Sequence, residues 1–370
     1  MKFRRILLVV LAFAVLLSFA ACTVQRTVNP TQDPTAEATV PGTKVPTQKP
    51  TAASTKKPVT TVKPTQVPTA TVKPTQQASA TPTKEPTAGG TLYQLADSKG
   101  GQMNSYVIQT QNNKLIIMDG GYDRNKQDLI NLAKEITGQQ KPEIEAWFFS
   151  HTHSDHVNAF SSMFNESATK NALTVKKLYY NITSRDYVVN KEPDSLQTYD
   201  NFVKALNTFP ANKKVIVQEG DKIRIDGLII EVLITPDETK STVVPINDAS
   251  VIYRLNIGNQ RVLFLGDAYE TAGLRFYRGY KDDLTADVIQ MAHHGSQGIQ
   301  RSIYKKIEAK ACLWPSPQFM WEDKNQDGGG GSYRLETVSL HRYMRYDLGI
   351  KHHFISRDGV QKLVFPLDLD

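Results

Sequence analysis

Three apolar segments of strand length end in side chains that bind metal. The most demanding is His151-Thr152-His153-Ser154-Asp155-His156, directly after the apolar run 146–149. Four metal-capable side chains in six residues must be delivered together, and the end of a buried strand is where a backbone can do that. A solvated His-rich turn is the plainer reading. Spacing, strand context and the two further segments argue against it.

The second segment is Phe264-Leu265-Gly266-Asp267, an apolar strand ending in Gly-Asp. Alone it reads as a turn, but a carboxylate placed there can bridge two metal ions. The third is Val288-Ile289-Gln290-Met291-Ala292-His293-His294-Gly295-Ser296, again a strand that carries histidines to its carboxyl end. All eight histidines lie after residue 150, and five of them fall in the two clusters. Read as a loop, the first cluster lets His151 and His153 face one ion and Asp155 and His156 a second. Imidazole and carboxylate suit Zn²⁺, and also Mn²⁺ or Fe.

On these residues the chain resembles the metallo-β-lactamase superfamily, whose His-x-His-x-Asp-His signature stands here as His151 to His156. Within that superfamily it resembles the hydrolase domain of the competence DNA-uptake channel family. The motifs carrying that likeness are Gly101-Gln102-Met103-Asn104-Ser105, Asp119-Gly120-Gly121, Asn247-Asp248-Ala249-Ser250, Leu265-Gly266-Asp267 and His293-His294-Gly295-Ser296. Met103-Asn104 departs from the family's Gly-Asp, and Val157-Asn158-Ala159 from its Gly-containing stretch. No histidine lies between Val175 and Val251, where many superfamily members carry a third ligand for the first metal. The competence subgroup lacks it too.

The resemblance implies an α/β fold, an αββα sandwich of two mixed sheets flanked by helices, over about residues 91–365. It implies two divalent ions, Zn²⁺ first, with Mn²⁺ or Fe as alternatives. His151, His153 and Asp267 would hold one; Asp155, His156, Asp267 and one of His293 or His294 would hold the other, with His293 slightly preferred. A hydroxide generated at the ions would be the nucleophile, and Asp155 would also orient it as a catalytic residue. Asp119 and Ser296 are candidates to fix imidazole tautomers. The channel's transmembrane segments have no counterpart, so the expectation is a hydrolase rather than a translocator.

The remaining histidines, His341, His352 and His353, read as packing or surface residues. Trp314, Phe319, Met320 and Trp321 read first as core and second as a substrate groove. Cys312, in an apolar strand, reads as an inert buried thiol.

The N-terminal region differs in kind. Lys2, Arg4 and Arg5 precede the unbroken apolar run 6–17, the pattern of a signal peptide. It ends Phe19-Ala20-Ala21-Cys22, which resembles a bacterial lipobox; an ordinary signal peptide is the alternative. Residues 23–88 hold 18 Thr and 11 Pro and no aromatic residue. Proline removes donors and fixes φ, so this stretch is expected to be a disordered linker. Residues 89–370 are then the hydrolase domain.

Charge supports that division. The whole chain has a formal net charge of +7, yet residues 89–370 carry 33 basic and 34 acidic groups. A globally basic nucleic-acid-binding domain is excluded, while a local basic strip is not.

The expected function is a secreted or surface-tethered hydrolase of phosphodiester bonds in nucleic acid or a cell-wall polymer. The membrane is reached only through an N-terminal lipid anchor, and no obligate protein partner is expected. The alternatives are a lactone or amide (β-lactam-type) hydrolase, and a non-catalytic binding protein on the same fold.

Overall fold

The computed structural model describes residues 85–322 and 336–370. The expected signal peptide and nearly all of the linker lie outside the described residues. The last linker residues contact the domain: Ala88 N donates to Gly227 O, and Glu85 pairs with Arg224 at 2.8 Å. No helix among the described residues is long and apolar enough to cross a membrane.

The first sheet contains β1 (Gly90–Gln94), β2 (Ser105–Thr110), β3 (Leu115–Asp119), β4 (Glu143–Phe148), β5 (Thr174–Val175), β6 (Leu178–Tyr180) and β7 (Lys214–Ile216). The second contains β8 (Lys222–Ile225), β9 (Leu228–Ile234), β10 (Ile252–Ile257), β11 (Gln260–Phe264), β12 (Val288–Gln290), β13 (Ala311–Trp314) and β14 (His352–Ile355). The last strand, β15 (Gln361–Phe365), returns to pair with β1. The first sheet runs β15-β1-β2-β3-β4-β6-β7, with β5 on β4; the second runs in sequence from β14 to β8. Both are mixed.

Alternation along each strand builds the layers. Tyr106, Ile108, Ile116, Met118, Ala146 and Phe148 of the first sheet meet Ile230, Val232, Tyr253, Leu255, Val262 and Phe264 of the second. The intervening residues face outward: Val107, Ile117, Trp147 and Phe149 pack under α1 (Lys126–Thr137), α2 (Ser154–Asn165) and α4 (Leu196–Leu206), which follows the short α3 (Arg185–Lys191). On the other side, Leu263, Ile289 and Cys312 pack under α5 (Glu270–Tyr280), α6 (Arg301–Ile307) and α8 (Thr337–Arg342), with the one-turn α7 (Gln318–Trp321) between the last two. Strands buried on both faces read as continuous apolar runs, which is why they stood out in the sequence. The result is the expected α/β sandwich with helices on both outer faces.

Two elements correct the sequence reading. Ser154, Asp155 and His156 are not in a loop; they form the first turn of α2. His352 and His353, read only as packing or surface residues, open the strand β14.

Candidate metal centre

The site lies where β3, β4, β11 and β12 end. Beyond β4 the chain runs extended through Ser150 and His151 to His153, the residue that caps α2. Asp155 and His156 sit in that helix's first turn, where the helix dipole favours a carboxylate. The Asp119-Gly120-Gly121 turn after β3 clamps the same turn: Gly120 N donates to His156 O at 2.7 Å.

Beyond β11, Gly266 has φ +55, and a Cβ there would meet Ser150 Cβ and Ser250 Oγ at 2.9 Å. Only glycine lets the two sheets close this tightly, and the closure sets Asp267 against the histidines. Beyond β12, Gln290 bonds Leu265 N, Gly266 O and Met291 O, tying the two strand ends together. His293 and His294 then both adopt left-handed backbone, φ 48 and 57. Consecutive non-glycine residues there are strained.

Two groups of ligand-capable atoms result, each with its atoms within 4.8 Å of one another: His151, His153 and Asp267, and Asp155, His156 and His294. Asp267 spans both. Its Oδ1 lies 3.2 Å from His156 Nε2, and its Oδ2 lies 3.3 Å from His294 Nε2 and 3.9 Å from His151 Nε2. His294 Nε2 is also 3.1 Å from Asp155 Oδ2.

The structure brings together His151, His153, Asp155, His156, Asp267 and His294. His293 points elsewhere, with its Nδ1 3.2 Å from Tyr269 Oη and 3.2 Å from Gln297 O. The sequence preference for His293 is therefore reversed, because the twist between the two left-handed residues turns the second ring, not the first, towards the carboxylates.

Hydrogen bonds fix the rings. Asp119 Oδ2 accepts from Ser150 Oγ at 2.7 Å and from His156 Nδ1 at 2.8 Å. With its one proton given to Asp119, Ser150 Oγ must accept from His151 Nδ1, 3.1 Å away. Both rings thus keep Nε2 free of protons for a metal in their neutral form, as outer partners of metal-binding histidines do. Of the two sequence candidates for this role, Asp119 makes such a bond, while Ser296 makes only a backbone bond, to His293 O.

Four contributors were given no role in the sequence analysis. Ser150 is one. Ser250 Oγ accepts from Asp267 N at 3.0 Å. Asn104 Nδ2 donates to Asp267 Oδ1 at 3.2 Å, so the departure from the family's Asp puts a donor where a third acid would repel. Glu192 holds His153 Nε2 at 2.5 Å, while Ser195 Oγ and Ile246 N hold Glu192. Glu192 follows α3, far along the chain, and nothing in its local sequence marks it.

Burial shapes the charges. It pushes His151 well below its ordinary pKa, reinforced by His156. It would lower His156 too, but Asp267 and Asp119 outweigh it and hold that ring well above its ordinary value. Burial likewise opposes charge on His294, but Asp267 and Asp155 raise it to about 9. Burial works to raise Asp267, and the neighbouring His294 and His156 bring it well below the carboxylate range. Without metal, protons on His156 and His294 balance the acids.

The donor set fits a metal pair. His151 Nε2 and His294 Nδ1 are buried without a hydrogen-bond partner, while His294 Nε2 faces the carboxylates of Asp155 and Asp267. Such orphans inside a charged cluster are costly unless an ion takes their lone pairs. Four imidazoles and two carboxylates suit Zn²⁺, Mn²⁺ or Fe.

Fold and site together define a class, the αββα proteins built to bind divalent metal at one edge of the sandwich. The chain belongs to the metallo-beta-lactamase superfamily, whose profile matches residues 98–311. Among solved structures it is similar to the metallo-beta-lactamase fold protein YhfI from Bacillus subtilis, at 14% identity over 74% of this chain and 100% of that one, TM-score 0.44. A diphosphatase of the PhnP family is similar at 15% identity over 76% of this chain and 100% of that one, TM-score 0.40. CmlA, a diiron beta-hydroxylase from Streptomyces venezuelae, is similar at 9% identity over 75% of this chain and 54% of that one, TM-score 0.45. No curated protein matches the chain.

Proposed function

We propose that the chain is a phosphodiesterase of the competence-type subgroup, acting with two divalent ions, Zn²⁺ first. The observation that carries this reading is the meeting of two ligand groups at one buried carboxylate, Asp267. His151, His153 and Asp267 would hold one ion, and Asp155, His156, Asp267 and His294 the other. The ions would supply Lewis acidity and an activated water.

The residues supply the rest. Asp155, at the start of α2, orients the attacking water by accepting its hydrogen bond. Asn104 keeps Asp267 in one rotamer. Asp119, Ser150 and Glu192 hold His156, His151 and His153. No third histidine joins the first group among the described residues, which favours the phosphodiester reading over β-lactam or lactone hydrolysis.

The export reading belongs to the same proposal. Residues 1–22 direct the chain across the membrane, Cys22 carries the lipid anchor, and residues 23–88 space the domain from the cell surface. The substrate is then a phosphodiester polymer outside the cell, nucleic acid or wall polymer.

The test is a panel of chromogenic substrates given to the full chain with Zn²⁺ or Mn²⁺. Bis(p-nitrophenyl) phosphate is expected to turn over, and a β-lactam and an aryl lactone are not. Turnover of the lactam or lactone in place of the diester contradicts the reading. No turnover by protein that binds no metal favours a non-catalytic surface protein.

A further inference from the structure

Strands β12, β13 and β14 are parallel neighbours, so their carboxyl ends reach the same edge of the sheet. β12 delivers His294 there. β13 delivers Ser316, whose Oγ donates to His294 O and whose carbonyl accepts from Arg357 N at 3.1 Å. β14 delivers Arg357 itself, two strands from the metal centre, or about 10 Å.

At that end two guanidinium groups share one indole. Arg345 Cζ lies 5.4 Å and Arg357 Cζ 5.1 Å from the centre of the Trp321 ring. His341 stacks on the same ring at 4.3 Å and 14°. Trp321 is braced edge-on by Trp314 at 5.3 Å, and Trp314 in turn packs on Gly295, where a Cβ would meet its ring at 2.5 Å. The platform is thus continuous with the turn that presents His294.

Among the described residues Arg345 makes no ion pair. Arg345 Nε is buried without a hydrogen-bond partner. Arg357 has only its exposed neighbour Asp358, at 3.2 Å, among the described residues. A guanidinium held over an aromatic face keeps its outer N–H groups free and aimed, which suits a phosphate. Both guanidinium groups lie within 5.4 Å of the centre of one ring, in a domain of near-neutral charge.

We propose that Arg345 and Arg357 form an anion subsite that takes a second phosphate of the substrate while the first lies at the metal centre. The site itself stands on geometry; that the anion belongs to a substrate rests on the phosphodiesterase reading.

The test uses the full chain stripped with EDTA, so that binding is read without turnover. The probes are the thymidine dinucleotide with a 5′ phosphate, the same dinucleotide without it, and inorganic phosphate. The native chain is expected to prefer the phosphorylated dinucleotide by about tenfold, the scale of one or two charge-assisted bonds. Arg345→Gln with Arg357→Gln should erase that preference and leave the other dinucleotide unchanged. Arg357→Gln alone, at the more exposed position, should reduce it by about threefold without altering the thermal midpoint. With metal restored, turnover of bis(p-nitrophenyl) phosphate, which has one phosphate, should stay within about twofold in both variants.

A preference that survives the double variant overturns the proposal. So does an equal loss on the one-phosphate substrate, since the arginines would then act through His294. Arginine-dependent binding of inorganic phosphate with no preference between dinucleotides overturns the substrate role. If no diester is hydrolysed but the arginine-dependent preference is present, the subsite stands and the phosphodiesterase reading fails.

Discussion

Asp267→Asn is expected to abolish binding of both metal ions and to lower diester turnover by at least about 10³-fold. The residue is 1% exposed and its carboxylate faces His156, His294 and His151 at once, so one substitution removes a ligand from each group. Asparagine keeps the size and can still accept from Asn104, so the fold should persist. The check is metal content by elemental analysis beside the rate. A variant that still holds two ions and turns over normally would remove Asp267 as the shared ligand. Loading should also depend on pH. A metal must displace protons from His156 and His294, so affinity should rise with pH, with the His294 contribution complete at about 9.

The second large effect lies away from the site. Arg254, on β10, is 4% exposed. It donates to Glu231 Oε2 at 2.7 Å, and to Asp283 Oδ2 and O at 2.8 Å. Arg254→Leu leaves a buried carboxylate without its main partner and should cost about 3–5 kcal/mol in chemical unfolding at neutral pH. Glu231 also gives this loss a pH signature. Burial works to raise its pKa, but Arg254, Lys222 and Asn256 bring it from 4.5 down to about 2. A depressed folded-state pKa contributes stability that is complete above about 4.5 and is lost as the pH falls through about 2. The native chain should therefore weaken across that window, and Arg254→Leu should show a shallower acid limb. Equal stability of the two proteins at pH 7 would contradict the account.

Much of the sandwich was legible because its strands are buried on both faces. The apolar run 146–149 overlaps the end of β4, and the run that opens at Val288 is β12. The strands that were not seen lack that signal. β1 and β15 pair with each other and alternate in burial, and β14 opens on two histidines. α2 opens inside the ligand signature, with His153 as its N-cap and Asp155 and His156 in its first turn. Its apolar face, Val157, Phe160 and Phe164, has helical spacing nonetheless.

The site divides the same way. Clusters at strand ends are local, and they placed His151, His153, Asp155, His156 and Asp267 in the candidate set. The choice between His293 and His294 depends on two left-handed backbone angles, which residue types alone do not specify. Ser150, Asn104 and Glu192 act through contacts across the fold, Glu192 from 39 positions beyond the ring it holds. Ser150 and Glu192 belong to none of the quoted motifs, and the motif that holds Asn104 does not show what its side chain meets.

The central claim is that two ligand groups meeting at Asp267 hold a metal pair. Anomalous diffraction at the zinc edge, from crystals of the chain grown with Zn²⁺, tests it most directly. The account predicts two peaks about 3.5–4 Å apart, with Asp267 between them, His151 and His153 on one and Asp155, His156 and His294 on the other. A single peak, peaks away from Asp267, or a second ion bound by His293 instead of His294 would contradict it.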